Sequence, residues 1–398
     1  MPTKKGPGSG NDKVVITSDD FKKMAEPVLS TNGISFTFAD GLHGYFNYFW
    51  LRDNCASAID PETHERVYEI RNAPDDLHAN KAWIDAGALH IVWANDGHNS
   101  RYDLEWLSNW ARNPGRNDTA QLAHRYWFGD HFPRIQRFSQ SAVLTSDTVL
   151  ADWIEALLVE GIAIVTDMPN TNAGLEDLAA RVGIVRPCID GDYLDIRTHI
   201  DGHSLSFTSG ALEIHTDLPA EELPPGIQFL HCRANDSTGG ESLFVDSGAV
   251  AEDFRHECLE DFELLAGTDI PFFYEHKTYD LRARQKVIEL DPMGAVSGIT
   301  VSGHMLDMLD MDQRFLDKYY PALRRFHQAL NEPKYCMRFH MKAAECLVFD
   351  NHRIAHGRSA YDAESGYRYL RLCYIDRGEM RSTYRALKKR NSIIQAAE

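Results

Sequence analysis

The sequence predicts an α+β fold, in which a small N-terminal β domain precedes a larger domain that combines flanking helices with a double-sheet jelly roll, or double-stranded β-helix. The chain has 398 residues, which is long for a single compact core. In the segment 34–93, short apolar runs are separated by Asp, Asn and Gly turns. Beyond residue 145, helical periodicity alternates with short buried-strand patterns.

Residues 29–115 are predicted to form the small β domain. Its strand-like segments are 33–38, 43–50 and 88–93. A short helix is expected over 103–112, and the cluster of Asn, Pro and Gly at 113–118 begins a polar linker. The first residues have neither the apolar run of a secretory signal nor the arginine-rich character of a transit peptide. Residues 1–28 are therefore expected to be a disordered leader.

The larger domain, residues 116–398, opens with a predicted helix over 146–161. Its apolar residues recur at helical spacing, Ser146 is placed to cap its start, and Gly161 is placed to end it. A buried strand is expected at 162–165. The further predicted helices are 175–182, 250–266, 313–330 and a basic one at 380–390.

Strand patterns in this domain carry most of the candidate site residues. Residues 210–217 alternate as a strand does, and prolines at 219, 224 and 225 then force an irregular exit. Residues 345–350 have the pattern of a buried strand that turns and extends again through 353–361, and another strand covers 367–374. A jelly roll of such strands encloses a small-molecule cavity between its sheets.

A candidate metal site lies on these strands. His215 and Asp217 are two residues apart on an extended segment, so both side chains point to the same face. His356 lies early on the returning strand. Two imidazoles and one carboxylate are the ligand set of a mononuclear non-haem iron(II) oxygenase, which leaves one face of the metal open.

Spacing alone leaves two alternatives to these ligands. His199 and Asp201 repeat the same pair, but their segment is polar and bounded by glycine, which is typical of a loop. His352 has the same parity as His356 and could point the same way. The strand-like context favours His215 and Asp217.

Several motifs spread over the chain resemble one enzyme family. They are the segments 50–55, 103–107, 215–232, 238–246 and 349–358. Together they resemble the γ-butyrobetaine dioxygenase and trimethyllysine dioxygenase family, which is related to the taurine dioxygenases and uses iron(II), 2-oxoglutarate and dioxygen. The resemblance implies that His215, Asp217 and His356 bind iron.

The resemblance also implies a 2-oxoglutarate site beside the metal. It places the family's carboxylate-binding arginine at Arg368 and a supporting hydroxyl at Ser242. A guanidinium suits this role because it is planar and permanently charged and binds a carboxylate in bidentate fashion. Arg371 is a rival on the same strand, but its odd step from Arg368 should turn it to the opposite face, as a solvated surface arginine.

The N-terminal domain departs from the family. Many relatives bind structural zinc there through three cysteines and a histidine. Cys55 and His98 match two of these positions, but Ser57 and Asp60 stand at the other two. Because a structural zinc site needs four soft or borderline ligands, no structural zinc is expected.

The substrate-binding positions depart from the family as well. Its aromatic cage positions correspond to Asp190, Leu194, Phe207 and Tyr374, and its substrate-carboxylate positions to Ser204 and Ser302. An aromatic cage attracts a quaternary ammonium through the ring faces. Two interpretations follow. Either Tyr193 shifts by one place to join Phe207 and Tyr374, or Asp190, with Asp192 or Asp195, pairs with a cation that donates hydrogen bonds. The alternative for the three aspartates is a solvated acidic loop without a role in binding.

Composition narrows the class of partner. Hydrophobic residues make up 43% of the chain and charged residues 25%, as in an ordinary globular protein, and the net charge is −18. This charge argues against binding to nucleic acid or to anionic membranes. No apolar stretch approaches the roughly 18 residues that span a bilayer. The seven scattered cysteines fit reduced thiols in the cytoplasm.

The expected function is hydroxylation of a small cationic metabolite, of the γ-butyrobetaine type, by iron(II), 2-oxoglutarate and dioxygen. One alternative is the same chemistry on another charged molecule, such as a phosphonate, a sulfonate or an amino acid. A second is a non-catalytic barrel that binds a ligand. By analogy with the family, the basic C-terminal helix is expected to support a homodimer.

Overall fold

The computed structural model describes residues 26–115, 118–189, 191–197, 208–276 and 278–397, with side chains described as far as Arg390. The chain divides into two compact units, residues 1–117 and 118–398. Among the described residues, no helix is both long enough and apolar enough to cross a membrane.

The described residues of the N-terminal unit form two three-stranded antiparallel sheets and two short α-helices. The first sheet has the order β1-β2-β3, and the second has the order β4-β5-β6. The elements are β1 (Val28–Leu29), β2 (Gly33–Thr37), β3 (His43–Asn47), α1 (Tyr48–Asp53), β4 (Ala79–Asp85), β5 (Ala88–Trp93), β6 (Asn99–Asp103) and α2 (Leu104–Arg112). Their core surrounds Trp93, whose Nε1 donates to the hydroxyl of Ser100 at 2.8 Å.

Val28, which the sequence analysis assigns to the leader, lies in β1. Val28 pairs with Ser35, and Leu29 pairs with Ile34, so both belong to β1. The turn between the strands is closed by Ser30, whose backbone N–H and hydroxyl both donate to the carbonyl of Gly33, at 2.9 and 2.8 Å. This local hydrogen bonding fixes the strand pair, and sequence composition did not reveal it.

The C-terminal unit contains fifteen strands and seven helices among its described residues. The strands are β7 (Arg137–Ser139), β8 (Ile162–Thr166), β9 (Val185–Arg186), β10 (Leu194–Arg197), β11 (Leu212–His215), β12 (Ile227–Asn235), β13 (Ser242–Asp246), β14 (Asp269–His276), β15 (Tyr279–Lys286), β16 (Ile288–Leu290), β17 (Val296–Ile299), β18 (Cys336–Phe339), β19 (Glu345–Asp350), β20 (Ile354–Arg358) and β21 (Arg368–Ile375). The helices are α3 (Gln140–Thr145), α4 (Asp147–Glu160), α5 (Asn172–Ala180), α6 (Ser247–Glu257), α7 (Leu259–Gly267), α8 (Gln313–Leu330) and α9 (Arg377–Ala397).

Two sheets of this unit form the jelly roll. The larger has the order β10-β21-β12-β19-β8-β7, with β9 also paired to β21, and the smaller has the order β11-β20-β13-β18. One core cluster lies between them and takes Leu230 and Leu372 from the larger sheet and Phe244 and Ile354 from the smaller. This arrangement confirms the predicted jelly roll with flanking helices.

The helices cover the other face of the larger sheet. Residues from α4, α5 and α9 share a second core cluster with Phe229, Val348 and Cys373 of the sheet. The predicted caps of α4 are confirmed, because the hydroxyl of Ser146 accepts the N–H of Val149 and Gly161 ends the helix with a φ of 75°. The larger sheet is thereby held between helices on one side and the cavity on the other.

The single helix predicted over 250–266 is wrong. The chain forms α6 and α7 instead, which meet at Cys258, where φ is −139° and ψ is 56°. Phe254 and Phe262 lie on either side of the break and both enter the first core cluster. Their separation of eight residues suits a continuous helix equally well, so the apolar periodicity does not reveal the break.

Candidate active site

Three side chains that could bind a metal ion meet between the two sheets. His215 ends β11, and His356 lies directly opposite it in the middle of β20. Asp217 Oδ1 lies 3.2 Å from His215 Nε2, and Asp217 Oδ2 lies 3.6 Å from His356 Nε2. One ligand atom from each of the three residues lies within 4.8 Å of the other two. The donor set fits iron(II) in a site of two histidines and one carboxylate.

The backbone at Asp217 is held by Asn351, which the sequence did not single out. The N–H of Asp217 donates to Asn351 Oδ1 at 2.7 Å, and Asn351 Nδ2 donates to the carbonyls of Asp217 and Pro225 at 3.2 and 2.9 Å. Leu218 follows with a φ of 52°, which is uncommon for a residue with a side chain. The carboxamide of Asn351 therefore stabilises a tight turn that aims the carboxylate into the cavity.

The orientation of the imidazoles selects one nitrogen of His215 for a metal. Its Nδ1–H donates to the carbonyl of Glu213 at 2.8 Å, which leaves Nε2 facing Asp217. His352, the alternative to His356, is not part of the group. Its Nε2–H donates to the carbonyl of Pro224 at 3.0 Å.

The electrostatics of the three groups suit a bound cation. Burial acts to raise the pKa of Asp217, but the two imidazoles, His356 foremost, hold that pKa well below its usual value. Burial lowers the pKa of His356. For His215, burial acts to lower the pKa and contact with Asp217 raises it, with a net rise. A metal ion would take the place of the proton that His215 shares with Asp217.

A cavity of about 100 Å³ adjoins the three groups. This is several times the roughly 10–15 Å³ that one water molecule needs. Strand β21 contributes Arg368, Leu370, Leu372 and Tyr374 to its wall. These residues share one face of the strand because successive side chains alternate.

Two buried arginines line this cavity and meet at Tyr361. The guanidinium carbons of Arg358 and Arg368 lie 4.9 and 5.6 Å from the centre of the Tyr361 ring. Ser242 also lines the cavity and pairs with Arg358 across β13 and β20. Burial, followed by the charge of Arg358, lowers the pKa of Arg368 to about 10, so Arg368 stays protonated at neutral pH. A carboxylate bound there would relieve the repulsion between the guanidiniums.

Arg371 faces away from the cavity, as its odd step from Arg368 predicts. The prediction that it is solvated is wrong, because Arg371 is only 8% exposed. Its Nη1 donates to Asp195 Oδ1 at 2.9 Å, and its guanidinium lies 4.8 Å from the centre of the Tyr193 ring. The second face of β21 is covered as well, because Cys373 and Ile375 pack with residues of α4, α5 and α9 in the second core cluster.

The residues predicted to bind the substrate do not all face the cavity, because successive side chains of a strand point to opposite faces. Leu194 and Tyr374 line the cavity, as expected. Tyr193 does not, since it packs against the second core cluster on the other face of the larger sheet. The interpretation in which Tyr193 joins an aromatic cage is therefore wrong. Ser302 is buried and is not among the described residues of the cavity wall, and its hydroxyl lies 3.4 Å from His304 Nδ1.

The described aspartates of the acidic segment also lie away from the cavity. Asp195 accepts hydrogen bonds from Arg371, from the hydroxyl of Tyr369 at 2.9 Å and from Arg197 at 3.1 Å. Asp192 is exposed and is not part of the cavity wall. Neither of these two carboxylates is available as the predicted partner of a substrate cation.

Some predicted residues lie outside the part of the chain that the structure describes. They are Asp190, Ser204, Phe207 and the alternative pair His199 and Asp201.

The cavity wall also includes residues that no sequence pattern singled out. They are Tyr274 of β14, His304 and Met305 of the segment before α8, and Gln228 of β12. The rings of His304 and His215 are nearly perpendicular, with their centres 5.0 Å apart. Burial lowers the pKa of His304 to about 4, so this imidazole is neutral at physiological pH. Only tertiary packing brings these segments to the cavity.

In the N-terminal unit, three of the four positions that resemble a zinc site lie together. Ser57 Oγ is 3.0 Å from His98 Nε2, and Cys55 Sγ is 3.6 Å from the same nitrogen. Asp60 Oδ1 accepts the N–H groups of Glu62 and Thr63, at 2.9 and 2.8 Å, and so closes its own turn. The absence of structural zinc stays a prediction.

Comparisons with known proteins agree with this geometry. Residues 119–374 match the family model "Taurine catabolism dioxygenase TauD, TfdA family". Residues 30–108 match the model "Gamma-butyrobetaine hydroxylase-like, N-terminal". Each compact unit therefore contains a region that matches a known sequence family.

Individual relatives align along most of the chain. A γ-butyrobetaine dioxygenase of Pseudomonas sp. (strain AK-1) is 35% identical over 373 residues, which cover 92% of this chain and 96% of the relative. Bovine mitochondrial trimethyllysine dioxygenase and human γ-butyrobetaine dioxygenase are each 27% identical over 86% of this chain, and the alignments cover 82% and 90% of those proteins. The chain belongs to the γ-butyrobetaine dioxygenase and trimethyllysine dioxygenase family and is an iron(II)- and 2-oxoglutarate-dependent dioxygenase.

Proposed function

We propose that this dioxygenase hydroxylates a small quaternary ammonium compound of the γ-butyrobetaine type. The observation that carries the proposal is the cavity wall beside the metal site. Its described residues include the rings of Tyr274 and Tyr374 and the apolar side chains of Leu194 and Met305. Ring faces attract a cation that has no N–H to donate. The named activity of the Pseudomonas relative supports the same substrate class.

The wall favours a quaternary cation over a primary amine or a guanidine. A cation with N–H groups requires acceptors, and burying it without them is costly. Among the described residues of the wall, Asp217 is the one carboxylate, and it belongs to the metal site. A trimethylammonium group requires no such acceptor, so this wall suits it better.

The cavity residues divide the remaining tasks. His215, Asp217 and His356 would hold iron(II), which supplies the activation of dioxygen when bound. Arg368 and Ser242 would bind the distal carboxylate of 2-oxoglutarate, because the guanidinium is buried and charged and the hydroxyl lies on the facing sheet. The apolar wall would hold the substrate C–H bond near the metal and limit the access of water.

A matched pair of substrates tests the proposal. The protein is supplied with iron(II), 2-oxoglutarate and ascorbate, and substrate-dependent succinate formation and oxygen uptake are measured with γ-butyrobetaine. The control is γ-aminobutyrate, which has the same carbon chain and carboxylate but an N–H donating ammonium. We expect turnover with γ-butyrobetaine and little with γ-aminobutyrate, and none with either in the His215→Ala variant. Turnover restricted to γ-aminobutyrate would contradict the proposal.

One feature favours the alternative of an anionic substrate. Arg358 is a second buried guanidinium of the cavity, and its Nη2 donates to the carbonyls of Thr208 and Gly210 at 2.6 and 2.7 Å. A sulfonate or phosphonate would require such a cation in addition to Arg368. Taurine in the same assay distinguishes the two: succinate formation with taurine, and none with γ-butyrobetaine, would favour this alternative.

We also propose that residues 29–115 form a separate domain. We further propose that the enzyme is cytoplasmic and forms a homodimer. Free thiols among the described residues support a reducing compartment, and they include Cys55, Cys232, Cys336, Cys346 and Cys373. The dimer follows from the family resemblance, although Met380, Tyr384 and Leu387 of α9 pack within their own chain. Sedimentation equilibrium should give twice the chain mass of 45.1 kDa. A single-chain mass at micromolar concentration would contradict the dimer.

A further inference from the structure

The hydroxyl of Tyr374 donates a hydrogen bond to Asp217 Oδ2 at 2.7 Å. Asp217 is the carboxylate of the metal site, and Tyr374 comes from β21 on the opposite sheet. The tyrosine is 5% exposed, and its ring also forms part of the cavity wall. One side chain therefore contacts both the metal site and the space that a substrate would occupy.

We propose that Tyr374 is a positioning residue that makes Asp217 a one-oxygen ligand of the iron. The hydroxyl occupies Oδ2 and leaves Oδ1, which lies 3.2 Å from His215 Nε2, to bind the metal. This inference goes beyond the proposed function and does not depend on the identity of the substrate.

The hydrogen bond from Tyr374 matters because iron(II) has a limited number of ligand positions. Iron(II) in such a site has about six positions, and the three side chains take three of them if each gives one atom. 2-Oxoglutarate would take two more if it chelated the metal through its C1 carboxylate and its keto oxygen. One position would then remain for dioxygen. If Asp217 bound through both oxygens, no position would remain.

Further contacts make Asp217 rigid enough for a single hydroxyl to decide its binding mode. Asn351 holds its backbone on both sides, through the N–H and the carbonyl. Tyr374 itself lies on an interior strand and pairs with Gln228 of β12 and Arg186 of β9. Hydrogen bonds to a ligating carboxylate typically change metal affinity by about 10- to 100-fold.

The Tyr374→Phe variant tests the inference because it removes the hydroxyl and keeps the ring. Tyr369→Phe is the matched control: it lies on the same strand, and its hydroxyl donates to another carboxylate, Asp195, at 2.9 Å and away from the metal site. The dissociation constant for Mn(II), a stand-in for iron(II), is measured from the electron paramagnetic resonance signal of the free ion. Thermal unfolding of both metal-free variants is measured alongside.

We expect Tyr374→Phe to change the Mn(II) dissociation constant by about tenfold or more and Tyr369→Phe to leave it within about twofold of the wild type. We also expect the violet band of the anaerobic iron(II) and 2-oxoglutarate complex to shift in Tyr374→Phe alone. An unchanged Mn(II) constant in Tyr374→Phe overturns the inference. Equal weakening in both variants overturns it too, since the effect would then be structural. None of these measurements requires a substrate, so they remain informative if γ-butyrobetaine is not turned over.

Discussion

Arg368 and Arg371 lie three residues apart on β21 and have different surroundings. Arg368 faces the cavity, where Arg358 is its charged neighbour. Arg371 faces the helices, where Asp195 and Glu176 neutralise it. An odd step along a strand reverses the face, and the two environments follow from that reversal. The cavity arginine thus has the charge that a dicarboxylate requires, whereas the other arginine stabilises the fold.

Replacing each arginine by lysine should separate these two roles. Arg368→Lys keeps the charge but loses bidentate binding, so we expect the KM for 2-oxoglutarate to rise by about 10- to 150-fold, equivalent to 1.5–3 kcal/mol, with a smaller change in kcat. Arg371→Lys should leave that KM within about twofold and lower the melting temperature. Succinate formation at varied 2-oxoglutarate concentration checks both. A KM that rises equally in the two variants would show that Arg368 has no special role.

At the residue scale, the prediction that His215, Asp217 and His356 lie together is confirmed, and the role of Arg368 stays a prediction. His215 and Asp217 were assigned from their spacing on a strand, and Arg368 from its position in a family motif. His356 and His352 could not be separated in this way because they share parity, and the pairing of His356 with His215 across two strands decides between them. The contact of Tyr374 with Asp217 spans 157 residues, and no local pattern of the sequence encodes it.

At the scale of elements, one buried ion pair connects β13, β20 and α6. Asp246 ends β13 and caps α6 by accepting the N–H of Ala249, and Arg353 directly precedes β20. Arg353 Nε and Nη2 donate to the two oxygens of Asp246 at 3.0 and 2.7 Å, and the side chains are 5% and 0% exposed. This pair fixes the start of the strand that carries His356.

Breaking the pair should destabilise the C-terminal unit strongly. Arg353→Met leaves the Asp246 carboxylate buried without its partner, so we expect the free energy of unfolding to fall by about 3–5 kcal/mol. Adding Asp246→Asn should recover part of this loss, because the amide oxygen still accepts hydrogen bonds while the buried charge is gone. Urea denaturation of the single and double variants measures both effects. A loss below about 1 kcal/mol in Arg353→Met would contradict a structural role for the pair.

Helices and strands are predicted well from the sequence where local signals define them, and poorly where contacts with other elements do. Helices α4 and α8 were predicted closely because their caps and apolar stripes are local signals. The break at Cys258 was missed, since both halves keep their apolar residues in register with one core. The sequence also did not predict which side chains of β10 point to the cavity. Its parity is set by pairing with β21, which puts Leu194 opposite Leu372 and turns Tyr193 and Asp195 away.

At the scale of the whole molecule, the two compact units contrast in their metal chemistry. The C-terminal unit brings two imidazoles and a carboxylate together around a cavity. In the N-terminal unit, Ser57 lies between Cys55 and His98, within 3.3 Å of the thiol sulfur and 3.0 Å of the imidazole nitrogen. A serine hydroxyl is a poor ligand for structural zinc, and a hydrogen-bonded cluster needs no ion to satisfy these groups.

The metal content of the purified protein tests this contrast. In protein expressed without added metals, mass spectrometry should find iron as the principal bound metal and well under one equivalent of zinc, because the N-terminal unit lacks a complete tetrahedral set of ligands. The matched control is the double variant Ser57→Cys with Asp60→Cys, which restores the three cysteines and one histidine of the family's zinc positions and should take up about one equivalent of zinc. A full equivalent of zinc in the unaltered protein that is lost in the His98→Ala variant would contradict the prediction. Because Asp60 closes its own turn through Glu62 and Thr63, the double variant should also unfold more readily when zinc is chelated.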